Sequence, residues 1–151
     1  MEKFNPQNHI CKFCFEQYNY FQDRELYQSI ECNLFLQELI IKLKKKRTDE
    51  TVEVYGYKLT DEAMSQILPL LIWEDYEKER DASGWNKNFA GYRDGWGYEF
   101  VCITENGKPM IRLWLNALFK NKDKPIYEKL LDWIIANYSS KKEFRDKNLL
   151  W

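Results

Sequence analysis

Apolar residues recur at helical spacing along the first third of the chain. Asn5 and Pro6 are typical of a helix N-cap and a first helical position. The apolar positions that follow are Ile10, Phe13, Cys14, Tyr18 and Phe21. After Asp23 a second set predicts a longer helix that ends in the basic run 44–47: Leu26, Tyr27, Ile30, Leu34, Phe35, Leu39, Ile40 and Leu43. The short joint between the two sets predicts an antiparallel helical hairpin.

In the middle of the chain, the spacing of the apolar residues changes from helical to alternating. Residues 51–57 alternate between apolar and polar side chains and predict a short strand. Thr60 then predicts the N-cap of a helix whose apolar face extends to Tyr76. Pro69 is expected to kink that helix or to split it in two, because proline removes a backbone donor and clashes with the preceding turn.

Residues 98–115 predict a β-hairpin closed by a two-residue type I′ turn at Asn106 and Gly107. This register pairs Cys102 with Ile111, Phe100 with Leu113, Tyr98 with Leu115 and Glu105 with Lys108. One face is then apolar throughout, whereas Glu99, Lys108 and Arg112 fall on the other.

Helical signals return at the carboxyl-terminal end. Pro125 is predicted to begin a helix, because the apolar residues after it recur at helical spacing as far as Tyr138. Ser140 and Glu143 resemble a capping box for a short terminal helix. The chain is therefore predicted to be one α+β domain over residues 1–151, with the helical hairpin and further helices packed on a small antiparallel sheet that contains the 98–115 hairpin.

Composition narrows the function classes. With 23 basic and 24 acidic residues, the net charge of -1 argues against a strongly basic nucleic-acid binder. No stretch is apolar enough for a membrane span or a secretory signal. The four cysteines are expected to be reduced, buried thiols in a cytoplasmic protein. A single histidine excludes any mechanism that needs two.

The residue types bear on three kinds of chemical site: a zinc site, a nucleotide-phosphate site and a catalytic carboxylate pair. A zinc site would need residue types such as those of His9, Cys11, Cys14 and Cys32. However, the sequence has no second ligand pair at zinc-finger spacing. Buried thiols are therefore the favoured interpretation, and no metal or other cofactor is expected. Nucleotide-phosphate motifs are absent, because the only Gly-Lys pair, at 107–108, lies in the hairpin turn. No two carboxylates are marked as a catalytic pair.

Charge is distributed unevenly along the chain. Residues 48–81 carry ten acidic residues against three basic ones, a net charge of -7. The acidic positions concentrate at the end of the helix that contains Pro69, at Glu74, Asp75, Glu77, Glu79 and Asp81. The favoured interpretation of this run is a solvated helix end. Acids at a helix C-terminus oppose the helix dipole, however, which makes the patch a candidate for binding a basic partner.

A glycine-rich segment follows directly. Residues 83–97 hold four of the six glycines, together with aromatic residues and one arginine of the types enriched in interface hot spots. Either these aromatics cover the sheet or they anchor a partner. The candidate anchors are Trp85, Phe89, Tyr92, Arg93 and Trp96.

In its general features, a small α+β chain with an acidic patch and an aromatic loop, the protein resembles the immunity proteins and antitoxins that block a toxin by occlusion. The resemblance implies a non-catalytic inhibitor of a protein partner with a basic surface, such as a nuclease. Two alternatives remain open: a small enzyme or nucleic-acid-processing subunit with a carboxylate site in the glycine-rich region, and a zinc-stabilised adaptor.

Overall fold

A computed structural model describes residues 3–19, 25–43, 53–83, 96–114 and 125–138. Within them, six strands form one sheet in the order β4-β3-β2-β1-β5-β6, and each neighbouring pair is antiparallel. The strands are β1 Lys12–Asn19, β2 Glu25–Asn33, β3 Glu38–Leu43, β4 Glu53–Lys58, β5 Trp96–Ile103 and β6 Ile111–Trp114. The helices are α1 Asp61–Ile67, α2 Trp73–Ser83 and α3 Ile126–Tyr138. The α+β class and the antiparallel sheet with packed helices are therefore confirmed.

The predicted helical hairpin in the first third of the chain is wrong. Strands β1, β2 and β3 occupy those residues as an antiparallel meander. Alternate side chains on each strand are buried, as in Phe13 and Phe15 on β1 or Leu39 and Ile41 on β3. Because Cys14 and Ile40 place further apolar groups on the opposite face, the apolar positions fit a helical period as well as an alternating one.

The Asn5–Pro6 signal begins a single turn instead of a helix. The Asn5 carbonyl accepts hydrogen bonds from the backbone N–H groups of Asn8 (3.0 Å) and His9 (2.8 Å), and the Asn5 side chain accepts one from Gln7 N–H (3.0 Å). His9 then forms an isolated antiparallel bridge with Ile72. The chain is therefore already extended at His9, before β1 begins.

The predictions for the middle of the chain are confirmed. β4 overlaps the predicted strand at residues 53–57, and the Thr60 side chain caps α1 by accepting a hydrogen bond from the Ala63 N–H at 3.1 Å. Pro69 lies in a short 3-10 helix, Leu68–Leu70, that separates α1 from α2. The proline thus splits the helical region in two.

The β5–β6 hairpin has the predicted register but a different turn. Phe100 pairs with Leu113 and Cys102 with Ile111, and all four side chains are buried. A type I′ turn requires positive φ at both central residues, whereas φ is positive at Gly107 (79°) and not at Asn106. The β5–β6 ladder therefore ends at Cys102 and Ile111, and a longer loop replaces the two-residue turn.

Helix α3 forms as predicted and buries Tyr127, Leu130, Leu131 and Ile134. The predicted capping box at Ser140 and Glu143 lies outside the described residues. No helix in the described ranges is long and apolar enough to cross a membrane.

The buried residues of the helices and of one sheet face form a single hydrophobic cluster. Its aromatic centre is Phe100, whose ring centroid lies 4.7 Å from that of Phe15, 5.4 Å from that of Tyr76 and 6.0 Å from that of Tyr127. We call this side the core face and the opposite side of the sheet the outer face. Side chains of the outer face include Cys14, Glu31, Ile40 and Val101, by the alternation of the strands.

Candidate functional site

Helix α2 carries all five acidic positions of the sequence prediction on a firmly anchored backbone. Trp73 at its start and Tyr76 one turn later are buried in the core. The Tyr76 hydroxyl donates a hydrogen bond to the Leu70 carbonyl at 2.7 Å, and the Trp73 N–H donates to the Asn8 carbonyl at 2.9 Å. The acidic residues therefore project from a fixed support.

The acidic surface consists of Glu74, Asp75, Glu77, Glu79 and Asp81, all of them exposed or partly exposed. Because α2 begins at Trp73, Glu74 and Asp75 lie in its first turn, where negative charge is favoured by the helix dipole. The argument that these acids oppose the dipole is therefore wrong for these two residues. It holds only near the end of the helix, at Asp81.

Basic side chains neutralise part of this surface. Lys108 Nζ lies 2.9 Å from Glu77 Oε1 and 3.1 Å from Glu77 Oε2, and Arg80 contacts both Glu77 (3.9 Å) and Asp81 (3.2 Å). The predicted pairing of Lys108 with Glu105 is therefore replaced by an ion pair that ties the β5–β6 loop to α2. Glu74 is exposed and has no ionic partner among the described residues.

A polar cleft of about 530 Å³ opens beside the amino-terminal end of α2. Its walls are the turn at residues 5–9, the start of α2 and the β5–β6 loop. The carboxylates of Glu74 and Glu77 line it, together with four side-chain amides from Asn5, Gln7, Asn8 and Asn106. Lys3 and Lys108 are the cations on its rim. The cleft therefore combines hydrogen-bond donors and acceptors, and Glu74 contributes a carboxylate that has no ionic partner among the described residues.

Hydrogen bonds between distant segments hold the cleft walls together. The Thr104 hydroxyl lies within hydrogen-bonding distance of the carbonyls of Pro6 (2.9 Å) and His9 (2.8 Å), and the Asn106 amide donates to the Gln7 carbonyl at 3.4 Å. His9 Nδ1 accepts a hydrogen bond from the Asn5 N–H at 2.9 Å. These hydrogen bonds therefore fix the positions of the cleft walls relative to one another.

The amino-terminal turn and Lys108 are parts of this site that the sequence does not predict. The local pattern at Asn5 and Pro6 predicts the start of a helix and not a turn that lines a cleft. The contact of Lys108 with Glu77 spans 31 positions, and no local pattern reports such a separation.

Two tyrosines behind the acidic surface are held neutral. Burial, with smaller contributions from Cys102, Asp75 and Glu79, raises the pKa of Tyr76 well above its usual value. Burial also raises the pKa of Tyr127, and Glu79 adds to the shift. Both hydroxyls therefore stay protonated at alkaline pH values at which an exposed tyrosine ionises, so Tyr76 keeps its role as a donor to the Leu70 carbonyl there.

The aromatic half of the predicted site is not described. Trp85, Phe89, Tyr92 and Arg93 lie outside the described residues, and Trp96 begins β5 but its side chain is outside the described set. Their role as partner anchors stays a prediction.

The cysteines that suggested zinc do not converge. Cys14 faces the outer side of the sheet, whereas Cys32 is buried in the core. Burial raises the pKa of Cys32 to about 12, and burial together with Glu16 and Glu31 raises the pKa of Cys14. Within the described ranges no three His, Cys, Asp or Glu residues are grouped so as to hold a metal ion.

Comparisons with known proteins give no relative for this chain: no protein-family model matches it, and no curated protein or solved structure is significantly similar to it.

Proposed function

We propose that this chain is a non-catalytic protein-binding protein that neutralises a basic protein partner by occlusion, in the manner of an immunity protein or antitoxin, and that it acts in the cytoplasm. One observation carries the proposal: the acidic surface of α2 projects from an anchored helix beside a polar cleft that Glu74 lines.

The charge of α2 supports a role in attracting a partner. Residues 74–81 hold five acidic residues and two basic ones, a net charge of -3 over two helical turns. A fixed cluster of one sign raises the encounter rate with an oppositely charged protein and makes that rate sensitive to salt. Exposed charges of this kind contribute more to association than to the lifetime of the complex.

The cleft suggests how contact begins. The Glu74 carboxylate offers an acceptor to the ammonium or guanidinium group of a partner's lysine or arginine. Aromatic anchors from the glycine-rich segment at residues 83–97 would then hold the complex, because desolvated aromatic residues and arginine account for most hot-spot energy.

A capture experiment with matched variants tests the proposal. The tagged chain is incubated with extract of its native host, and retained proteins are identified by mass spectrometry. The charge-reversed double variant Glu74→Lys/Glu79→Lys is expected to lose a basic protein that the wild type retains. Glu62→Lys, an exposed acid on α1, is the control and should retain it.

Glu77 is left unchanged in this design, because its replacement would also break the ion pair with Lys108. Thermal melts confirm that the variants fold. If the folded double variant retained the same proteins as the wild type, the acidic surface would not be the binding surface. The outer side of the β5–β6 hairpin, around Arg112 and Trp114, would be the next surface to vary.

A further inference from the structure

The outer face of the sheet contains a depression of about 390 Å³ that the proposed function does not use. It spans β5, β1, β2 and β3, on the side of the sheet opposite to the core face. Its apolar lining comes from Cys14, Leu36, Ile40, Val101 and Ile103. Leu36 is 55% exposed and Ile103 is 36% exposed, so large apolar groups face solvent here.

Two hydrogen-bond donors stand side by side in this depression. Lys12 on β1 lies directly opposite Asn33 on β2, so their side chains share the outer face. The Asn33 Oδ1 accepts a hydrogen bond from the Leu36 N–H at 3.2 Å, which leaves its NH₂ group to donate. Neither the Lys12 ammonium nor the Asn33 NH₂ group has a partner among the described residues.

The two acids that also line the depression leave room for an anion at Lys12. Glu31 is paired with Lys42, with Nζ to Oε1 at 3.3 Å. Glu38 lies beyond Asn33 on β3, two strands from Lys12 and therefore about 10 Å away at the backbone. An anionic group is thus favoured at the Lys12 end and disfavoured at the Glu38 end.

We propose that this depression binds a small amphipathic carboxylate. Its carboxylate would accept hydrogen bonds from Lys12 and Asn33, and its apolar body would cover Cys14, Val101 and Ile40. The volume and the mainly apolar lining, with few convergent polar groups, match what small-molecule sites require. This site is separate from the acidic surface of α2, so neither proposal depends on the other.

The test compares three probes that share one apolar chain: decanoate, decanol and decylammonium, each kept below its micelle-forming concentration. Binding is followed by NMR of the isoleucine, leucine and valine methyl groups. Decanoate is expected to bind saturably, about tenfold more tightly than the other two probes, because only it carries the negative charge that attracts the Lys12 ammonium. The shifted methyl groups should be those of Val101, Ile103, Ile40 and Leu36.

Charge variants locate the recognised group. Lys12→Met keeps most of the apolar stem and should weaken decanoate binding about tenfold, leaving decanol unaffected. Glu38→Gln should tighten decanoate binding, because a like charge is removed. Lys129→Met, an exposed lysine on α3, is the matched control and should change nothing.

Several outcomes would overturn the proposal. Equal affinity for decanoate and decylammonium would show that no anion is selected. Methyl shifts confined to other residues would place binding elsewhere. Should Lys12→Met fail to fold, Val101→Trp, which fills the depression without altering charge, must abolish decanoate binding in a folded protein.

Discussion

Replacing Leu113 by alanine removes three carbon atoms from the centre of the core. Leu113 lies on β6 opposite Phe100 and is 2% exposed. At about 0.8 kcal/mol for each buried carbon, the lost transfer free energy is about 2.4 kcal/mol. Incomplete collapse of the resulting cavity adds to this value, so we expect the free energy of unfolding to fall by about 2–5 kcal/mol.

Urea unfolding measured by tryptophan fluorescence tests this expectation. Met110→Ala is the matched control, because Met110 is 53% exposed immediately before β6 and its truncation should cost no more than about 0.5 kcal/mol. A loss below about 1 kcal/mol at Leu113, or equal losses for the two variants, would show that the β5–β6 hairpin has the opposite face buried.

Three further predictions follow from local geometry and burial. Gly107→Ala should destabilise the protein by about 1–2 kcal/mol, because φ is +79° at this residue. Gly56→Ala on β4 is the control and should be neutral or stabilising, because there is open space around the added methyl group. Equal shifts of the melting temperature for the two variants would contradict this prediction. Thr60→Ala should cost about 1 kcal/mol by removing the α1 cap, and Thr60→Ser should restore most of it in urea melts. Burial raises the pKa of Cys32 from 9.0 to about 12. The thiol therefore ionises at lower pH in the unfolded chain than in the folded protein. The free energy of unfolding should fall by about 1.4 kcal/mol per pH unit as pH rises from 9.0 towards 12. Urea melts over that range should show a smaller slope for Cys32→Ala, and an unchanged slope would refute the assignment.

The sequence predicted the fold well where local signals and the packed structure agree. At β5 and β6, alternation predicts which residues are buried, and centring the turn on Asn106 and Gly107 places Phe100 opposite Leu113. At Thr60 and Pro69 the cap and the break act through neighbouring backbone groups, so their consequences are local.

The prediction failed where the sheet is apolar on both faces. Cys14 and Ile40 lie on the outer face beside the depression, so β1 and β3 lack the clean alternation of a half-buried strand. The β2–β3 turn also lacks a glycine signal, because Gln37 itself adopts positive φ (50°). Without a visible turn, residues 25–43 fit one long helix.

The candidate site, like the fold, could be predicted from the sequence only in part. The five acidic residues of α2 could be located from sequence because they all lie within residues 74–81. Their partners could not, since Lys108 and the turn at residues 5–9 reach α2 only through the folded sheet. The dipole argument failed at Glu74 for a related reason: the break after Pro69 makes this residue the start of a new helix.

The rate of association with the captured basic partner, measured by stopped flow as a function of ionic strength, tests the central claim most directly. Glu74→Lys/Glu79→Lys is expected to slow association at low salt, and the difference from wild type should shrink as salt screens the exposed charges. The dissociation rate should change little, because the acids act on encounter. Equal association rates for wild type and variant at every ionic strength would contradict a binding role for the acidic surface of α2.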